Sequence, residues 1–231
     1  MPFRFWVFKK IVPLSLLIAL AIACDAQKPR FAFFAGPQMT TVKYSVTGVK
    51  QPADYKYGFQ TGFSMKIPFE TNLFFSPAAF YSLKGYKVKF NRYASPPDTT
   101  AIDNNTTIHT FELAFLLQYD FGKKPSHFFM KAGPSLDLQL KGKEKFDLID
   151  GNTISRDMVY DFGVYGHYCG NLLIQFGFET NGFMVFAQYS HGLASLNNAD
   201  YGPRINYRVY GISLGKYFGK KKSKSDTPKE P

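Results

Sequence analysis

The stretch that decides the fold is Tyr55 to Phe69, with the sequence YKYGFQTGFSMKIPF. Apart from Thr61, its odd-numbered positions are large and apolar, whereas its even-numbered positions are small or polar. Successive side chains of a β-strand point to opposite faces, so this alternation predicts a strand with one apolar and one polar face. The stretch is roughly twice as long as an average globular strand. Strands of this length and pattern are typical of transmembrane β-barrels.

The same alternation recurs along the chain and predicts eight antiparallel strands. The phase stays unbroken over 158–178, which favours a single strand, although a turn at Gly170-Asn171 would give ten short strands instead. In the third strand the apolar set shifts past Gly85, and we expect a bulge there. The predicted strands are 30–45, 55–69, 73–90, 108–121, 127–141, 158–178, 183–194 and 204–218.

The connections between these strands alternate in length. Three are short, at 70–72, 122–126 and 179–182, whereas 91–107 and 142–157 are long and polar. Outer-membrane barrels combine short periplasmic turns with long extracellular loops. We therefore predict that both termini lie on the periplasmic side and that the two long loops form the interaction surface.

Both ends of the chain differ from the barrel region. Residues 1–26 combine a basic start with an apolar stretch too short to span a membrane as a helix, which predicts a cleavable signal peptide. The alternative is a lipobox that leaves Cys24 lipidated. Residues 219–231 are rich in lysine and predict a disordered, basic periplasmic tail. The predicted barrel domain is therefore 27–218.

Composition narrows the classes of function. The net charge is +11, yet the chain has no basic helix and no aromatic-basic recognition motif, so we expect no nucleic acid and favour anionic lipid headgroups as the counterpart. Two cysteines, one of them in the predicted signal peptide, make a disulfide framework improbable. The mean hydropathy of −0.19 is low for a helical membrane protein but suits a barrel in which only alternate residues face lipid.

Alternation alone does not say which face points outward, because a lipocalin-like barrel has the same period with its apolar residues inside. The polar face is mostly Gly, Ser, Gln and Ala, which suits a narrow lumen, and the aromatic residues gather near strand ends as interfacial girdles do. We therefore expect Phe59, Phe115 and Phe176 outside, with Gln60 and Gln118 inside. A secreted soluble barrel that carries an apolar ligand is the alternative.

A ring of eight strands is too narrow for a porin-like channel, so inward polar residues are expected to fill its lumen. Charged groups buried there need partners. We predict a structural network rather than a proton or ion relay. Its predicted members are Lys66, Glu112, Asp120, Lys131, Asp137, Asp161 and His167, with Lys84 and Arg208 as further candidates.

Patterns that would indicate catalysis or metal binding are weak. The sequence GISLG at 211–215 matches the hydrolase motif GxSxG, but it lies within a predicted strand and not at a strand–helix turn. Ser190 and His191 are adjacent and point to opposite faces, and Asp161 and His167 are roughly 20 Å apart along a strand. The histidines and cysteines show no metal-ligand spacing. We expect no enzymatic activity, metal or cofactor, and keep a rim enzyme using Asp161 and His167 as an alternative.

Several stretches carry a resemblance to a known family. They are Ala26-Gln27 at the leader end, FAFFAGPQ (31–38), DFGVYG (161–166), AQYSHGLASL (187–196) and GISLGKYF (211–218). Together they resemble the PorT-like family of small outer-membrane β-barrels.

That resemblance implies an integral outer-membrane location in a Gram-negative bacterium, insertion by the barrel-assembly machinery, and in some members a part in protein secretion. It also implies an assembly signal in the last strand, which ends in an aromatic residue. We expect a monomer whose loops bind an extracellular or secretion partner, and an accessory role in secretion is the first alternative. The residues that match the assembly signal are Tyr210, Ile212, Leu214 and Phe218.

Overall fold

A computed structural model describes residues 29–91, 100–200 and 202–218 of the 231-residue chain. Within these ranges the regular structure is β-strand, and no helix is long and apolar enough to cross a membrane. The predicted signal peptide (1–26) and basic tail (219–231) lie outside the described residues.

Eight long strands and three short ones form one antiparallel sheet. The long strands are β1 (Arg30–Val46), β4 (Lys56–Pro68), β5 (Leu73–Lys89), β6 (Asp103–Phe121), β7 (His127–Asp147), β9 (Tyr168–Thr180), β10 (Phe183–Gly192) and β11 (Arg204–Phe218). The short strands are β2 (Val49–Gln51), β3 (Ala53–Asp54) and β8 (Thr153–Asp157).

The sheet closes on itself. Each long strand pairs with the next long strand in the chain, and β1 also pairs with β11, from Phe31 opposite Phe218 to Ser45 opposite Arg204. Closure leaves no sheet edge in lipid, where backbone groups have no water to bond. The predicted eight-stranded, up-and-down antiparallel barrel is therefore confirmed.

The sixth predicted strand is wrong in its first half. Strand β9 begins only at Tyr168, and residues 158–167 form a loop in which Phe162 is 99% exposed and Gly163 has a φ of 75°. A residue with positive φ does not continue a strand, although the apolar alternation runs through it. The ten-strand alternative is also wrong, because Gly170 and Asn171 pair in regular register with β7.

The two long loops are shorter than predicted, because the strands extend beyond the apolar segments. Strand β7 continues to Asp147, and β8 folds back along it, so the predicted loop 142–157 is largely a β-hairpin. Residues 103–107 of the other predicted loop belong to β6, and residues 92–99 lie outside the described part.

The bulge lies at Leu140 and not at Gly85. Gly85 pairs with Thr107 in unbroken register, whereas the β6–β7 register slips between His109 and Thr110 and leaves Leu140 as the extra residue. As a result Leu140 and Lys141 both point outward. The apolar set shifts at Gly85 because the composition of the barrel interior changes at that height.

The orientation of the wall agrees with the sequence prediction. Phe59, Phe115 and Phe176 are 47%, 51% and 53% exposed, whereas Gln60 and Gln118 are buried. The apolar face therefore looks outward, and the soluble lipocalin-like alternative is wrong.

On β6 the outward apolar side chains run from Phe111 to Phe121. The ten residue-to-residue rises from Phe111 to Phe121 add up to roughly 25 Å along the barrel axis at a strand tilt of about 40°. This equals the height of the apolar band of a membrane barrel. We call this zone the belt. Tight turns close the barrel on one side of it, such as Asn181-Gly182, whose φ values of 48° and 84° suit a type I′ hairpin. By the rule of short turns this is the periplasmic end, and the opposite end is extracellular.

Candidate functional site

At the periplasmic end of the lumen, five strands contribute to one ion cluster. Lys66 Nζ lies 2.5 Å from Asp120 Oδ2 and 3.0 Å from Glu179 Oε2. Arg30 donates to Glu179 Oε1 at 2.7 Å, and His127 Nε2 lies 3.0 Å from Asp120 Oδ2. Inward positions of β1, β4, β6, β7 and β9 meet here, so residues far apart in sequence neutralise one another.

Asp120, His127 and Glu179 also offer three ligand atoms within 4.8 Å of one another, the kind of group that holds a metal ion. Lys66, however, already bonds to both carboxylates, and a divalent ion would have to displace its ammonium group. The arrangement is therefore that of an ion-pair network. Sequence spacing gave no sign of it because the three residues lie on different strands.

Above this cluster the lumen is closed by an apolar layer. The Phe34 ring packs edge-on against Phe80 at 5.5 Å and against Phe186 at 5.6 Å between centroids. Lys131 reaches into the layer, with Nζ 5.3 Å from the Phe129 ring centroid and 6.0 Å from that of Phe186. The large, fully buried side chains of the layer are Phe34, Phe80, Leu116, Phe129, Leu173 and Phe186.

A second ion cluster lies beyond the apolar layer. Lys84 Nζ is 2.9 Å from Glu112 Oε2 and 2.7 Å from Asp137 Oδ2, and Ser135 Oγ donates to Glu112 Oε1 at 2.6 Å. All four side chains are buried. The apolar layer separates this cluster from the periplasmic one, which argues against a continuous proton or ion path between them.

Amide and hydroxyl side chains fill the rest of the lumen at the height of this second ion cluster. Gln60 Nε2 donates to Ser213 Oγ at 2.9 Å, and Gln60 Oε1 accepts from Gln188 Nε2 at 2.6 Å. Gln38 Nε2 donates to Ser82 Oγ at 2.7 Å. Ser213, the central residue of the GxSxG match, is therefore a hydrogen-bonded lumen residue in mid-strand.

Five of the predicted network residues lie in the lumen: Lys66, Glu112, Asp120, Lys131 and Asp137. The placement of Asp161 and His167 in the lumen is wrong, because both are exposed in the loop that precedes β9. His167 packs its ring near Tyr160, with centroids 5.8 Å apart.

Arg208 also lies outside the lumen, since it points outward and donates to His191 Nε2 at 2.8 Å. Sequence reasoning missed Arg30, His127 and Glu179. The sequence does indicate Glu179. The inward-facing residues of β9 recur at every second position, and Glu179 continues the series of Gln175 and Gly177.

The extracellular end has a different interior, made of aromatic and aliphatic side chains. Tyr44 and Tyr86 pack with ring centroids 6.2 Å apart, and Tyr86 and Tyr207 with centroids 6.4 Å apart. Glu144 is buried beside this core, where Tyr165 donates to it at 2.7 Å and Arg156 at 2.9 Å. These bonds join β7, β8 and the 158–167 loop into one structured cap.

The residues predicted as the assembly signal lie on the closing strand, β11. Ile212, Leu214 and Phe218 are exposed on the outer wall, and Tyr210 packs against Tyr189 at 5.1 Å between ring centroids. They form part of the apolar outer surface, and their role in assembly stays a prediction.

A polar lumen plugged by ion pairs, inside a closed barrel with an apolar outer band, defines a small membrane barrel. The profile of the family described as outer membrane protein beta-barrel domain matches residues 26–198, and the chain belongs to this family. No curated protein matches the chain.

Several solved outer-membrane proteins align with the chain at low sequence identity. Ail of Yersinia pestis, solved with the heparin analogue sucrose octasulfate, is 12% identical, with 83% of this chain and 100% of Ail covered and a TM-score of 0.44. OprG of Pseudomonas aeruginosa is 13% identical over 85% and 99% of the two chains, with a TM-score of 0.46. Neisserial surface protein A is 14% identical over 81% and 99%, with a TM-score of 0.40. The family match identifies the protein as an integral outer-membrane barrel of a Gram-negative bacterium.

Proposed function

We propose that the protein is a monomeric, plugged barrel that works by binding at its extracellular end and does not conduct solutes or catalyse a reaction. The observation that carries the proposal is the filled lumen. Two buried ion clusters lie on either side of a layer of packed phenylalanine and leucine side chains. An eight-stranded barrel leaves little room beyond what such side chains occupy.

The extracellular end supplies the surface for a partner. The β7–β8 hairpin rises above the barrel wall, and Ile149 in its turn is 69% exposed. Loops and hairpin turns held on a rigid barrel are common binding sites. We propose an extracellular molecule or a secretion component as the partner, and membership of the PorT-like family with insertion by the barrel-assembly machinery. The stretches FAFFAGPQ and GISLGKYF support that membership.

The side chains considered for catalysis support the absence of an enzymatic role. Ser213 is held by Gln60 in the lumen, and Asp161 and His167 are solvent-exposed in an irregular loop. Asp161 Oδ1 accepts the backbone N–H of Phe162 at 2.7 Å, which is a local turn contact. None of these arrangements joins a nucleophile, a base and an orienting group.

The test is photo-cross-linking on intact cells with the cross-linker at position 149, compared with the lipid-facing position 117. We expect a defined adduct with one partner from position 149 and none from position 117. In planar bilayers the purified protein is expected to give no steady conductance. Steady passage of small solutes, or adducts at 117 only, would contradict the proposal.

A further inference from the structure

A groove of about 640 Å³ runs along the outer wall of the barrel, next to the extracellular edge of the belt. It crosses β6, β7 and β8 and contains four lysines. We call it the basic groove. Its lining residues are Lys56, Asn105, Thr107, His109, Lys141, Gly142, Lys143, Lys145 and Ser155.

The bulge at Leu140 produces the row of three lysines on β7. Below it the even-numbered residues of β7 point outward, and above it the odd-numbered ones do. The sequence that follows, LKGKEKF from Leu140, alternates with period two, so Lys141, Lys143 and Lys145 all face outward while Glu144 is buried. Without the extra residue, the same segment would turn its lysines into the lumen.

Lys56 is fixed in the groove from the other side. Its side chain crosses β5 at Gly85, where an added β-carbon would meet the Lys56 Cδ atom. Its Nζ then donates to Asn105 Oδ1 at 2.6 Å, Thr107 Oγ1 at 2.6 Å and the Thr106 carbonyl at 3.1 Å. All three acceptors are neutral. These bonds therefore fix the position of the ammonium group but do not neutralise its positive charge.

The remaining charges of the groove also lack counter-ions. Within the described ranges Lys141, Lys143 and Lys145 form no ion pair, although Asp157 stands opposite Lys143 in the backbone register. Burial, and then the charge of the neighbouring Lys87, lower the pKa of Lys56. The groove therefore carries an excess of positive charge that an anion would relieve.

The height of the groove indicates where that anion comes from. His109, which hydrogen-bonds to Tyr81, is the last outward residue of β6 before the apolar series that begins at Phe111. Thr107, which pairs with Lys143, lies two residues further out, about 10 Å above Phe111 at the usual rise and tilt. This is the headgroup layer of the outer leaflet.

We propose that the basic groove binds the phosphate groups of the phosphorylated glycolipid that forms this leaflet. Lysine ammonium groups bind phosphate as point charges, and clusters of basic residues at a membrane surface select anionic headgroups. The exposed Leu140 side chain lies directly below Lys141, so acyl chains of the same lipid would meet the apolar wall.

The probe is diphosphorylated lipid A, with binding counted by native mass spectrometry of the full barrel released from a non-ionic detergent. The test variant is K141Q/K143Q/K145Q. The matched control, K43Q/K50Q/R204Q, removes three exposed cations at the same end of the barrel but outside the groove. We expect binding about 100-fold weaker in the test variant and within threefold of wild type in the control. Urea unfolding midpoints close to that of the wild type are expected for both variants and check that they fold.

Two further arms separate the sources of phosphate. Dephosphorylated lipid A is expected not to bind, and millimolar inorganic phosphate is expected not to displace lipid A from the wild type. Equal weakening in both triple variants would show general charge attraction and overturn the site. Full displacement by inorganic phosphate would overturn the lipid as its ligand.

Discussion

The belt and the extracellular part of the barrel are built on the same continuous strands, yet their inner and outer surfaces are reversed. In β5 the inward residue Lys84 is followed two positions later by Tyr86 and then Val88, all on one face. The outward face changes in the opposite direction, from Leu83 to Lys87. Within about six residues the wall changes from an apolar outer face with a polar inner face to a polar outer face with an apolar inner face.

This reversal shows that the surroundings, and not the fold, set the polarity of each face. In the belt, lipid outside requires apolar side chains there, and the polar residues left for the lumen must satisfy one another. Above the belt, water outside accepts lysines, and the interior is stabilised by apolar burial. The two regions should therefore respond differently to the same kind of substitution.

The largest effect is expected from Lys84→Met in the lumen of the belt. It leaves Glu112 and Asp137 as two buried carboxyl groups without their cation, which costs about 3–5 kcal/mol of unfolding free energy for a broken buried ion pair. Urea unfolding in lipid vesicles measures the change.

The control for this variant is Lys89→Met on the same strand. The Lys89 side chain is 75% exposed above the belt and lies 3.9 Å from Asp54, a distance at which a surface pair contributes little. We expect a change within about 0.5 kcal/mol. Similar losses in the two variants would mean that the lumen is hydrated, contrary to the packing seen here.

The next effect is on the outer wall. Phe115→Arg places a charge in the apolar band near mid-strand and is expected to cost about 2–4 kcal/mol, which lowers the yield of assembled barrel. Ser155→Arg introduces the same side chain on an outward position of β8, above the belt, and should change stability by less than about 0.5 kcal/mol. The heat-modifiable mobility of the folded barrel in electrophoresis separates assembled from unassembled protein. Equal assembly of both variants would refute the assigned boundary.

The sequence predicted the belt well and the extracellular part poorly, for a physical reason. In the belt the lipid forces strict alternation, so strands such as 55–69 and 204–218 could be placed within two residues. Above it, apolar residues also occur in loops that cover the core, so the alternation over 158–167 predicts a strand although the segment is a loop. The bulge at Leu140 changed the face of every later residue in β7 without any change in composition.

The ion clusters were predicted only in part for a related reason. The alternation along each strand identifies Lys66, Glu112, Asp120 and Asp137 as inward-facing residues. It gives no information about which of these side chains contact one another across the lumen. The contact of Lys66 with Glu179 joins residues that are 113 positions apart, and it depends on the stagger of the closed sheet.

The smallest difference concerns two hydroxyl groups of the extracellular part. Tyr165 donates to the buried Glu144, and burial together with that carboxylate raises the pKa of Tyr165, so its hydroxyl stays protonated as a donor. Tyr165→Phe should cost about 1.5–3 kcal/mol for a bond to a charged acceptor, seen as faster hydrogen exchange in β8 and the 158–167 loop. The Tyr207 hydroxyl, by contrast, has no hydrogen-bond partner among the described residues, so Tyr207→Phe should leave exchange within threefold of wild type. If Tyr165→Phe also left exchange within threefold of wild type, apolar packing of the rings and not the Glu144 contact would hold the cap on the barrel.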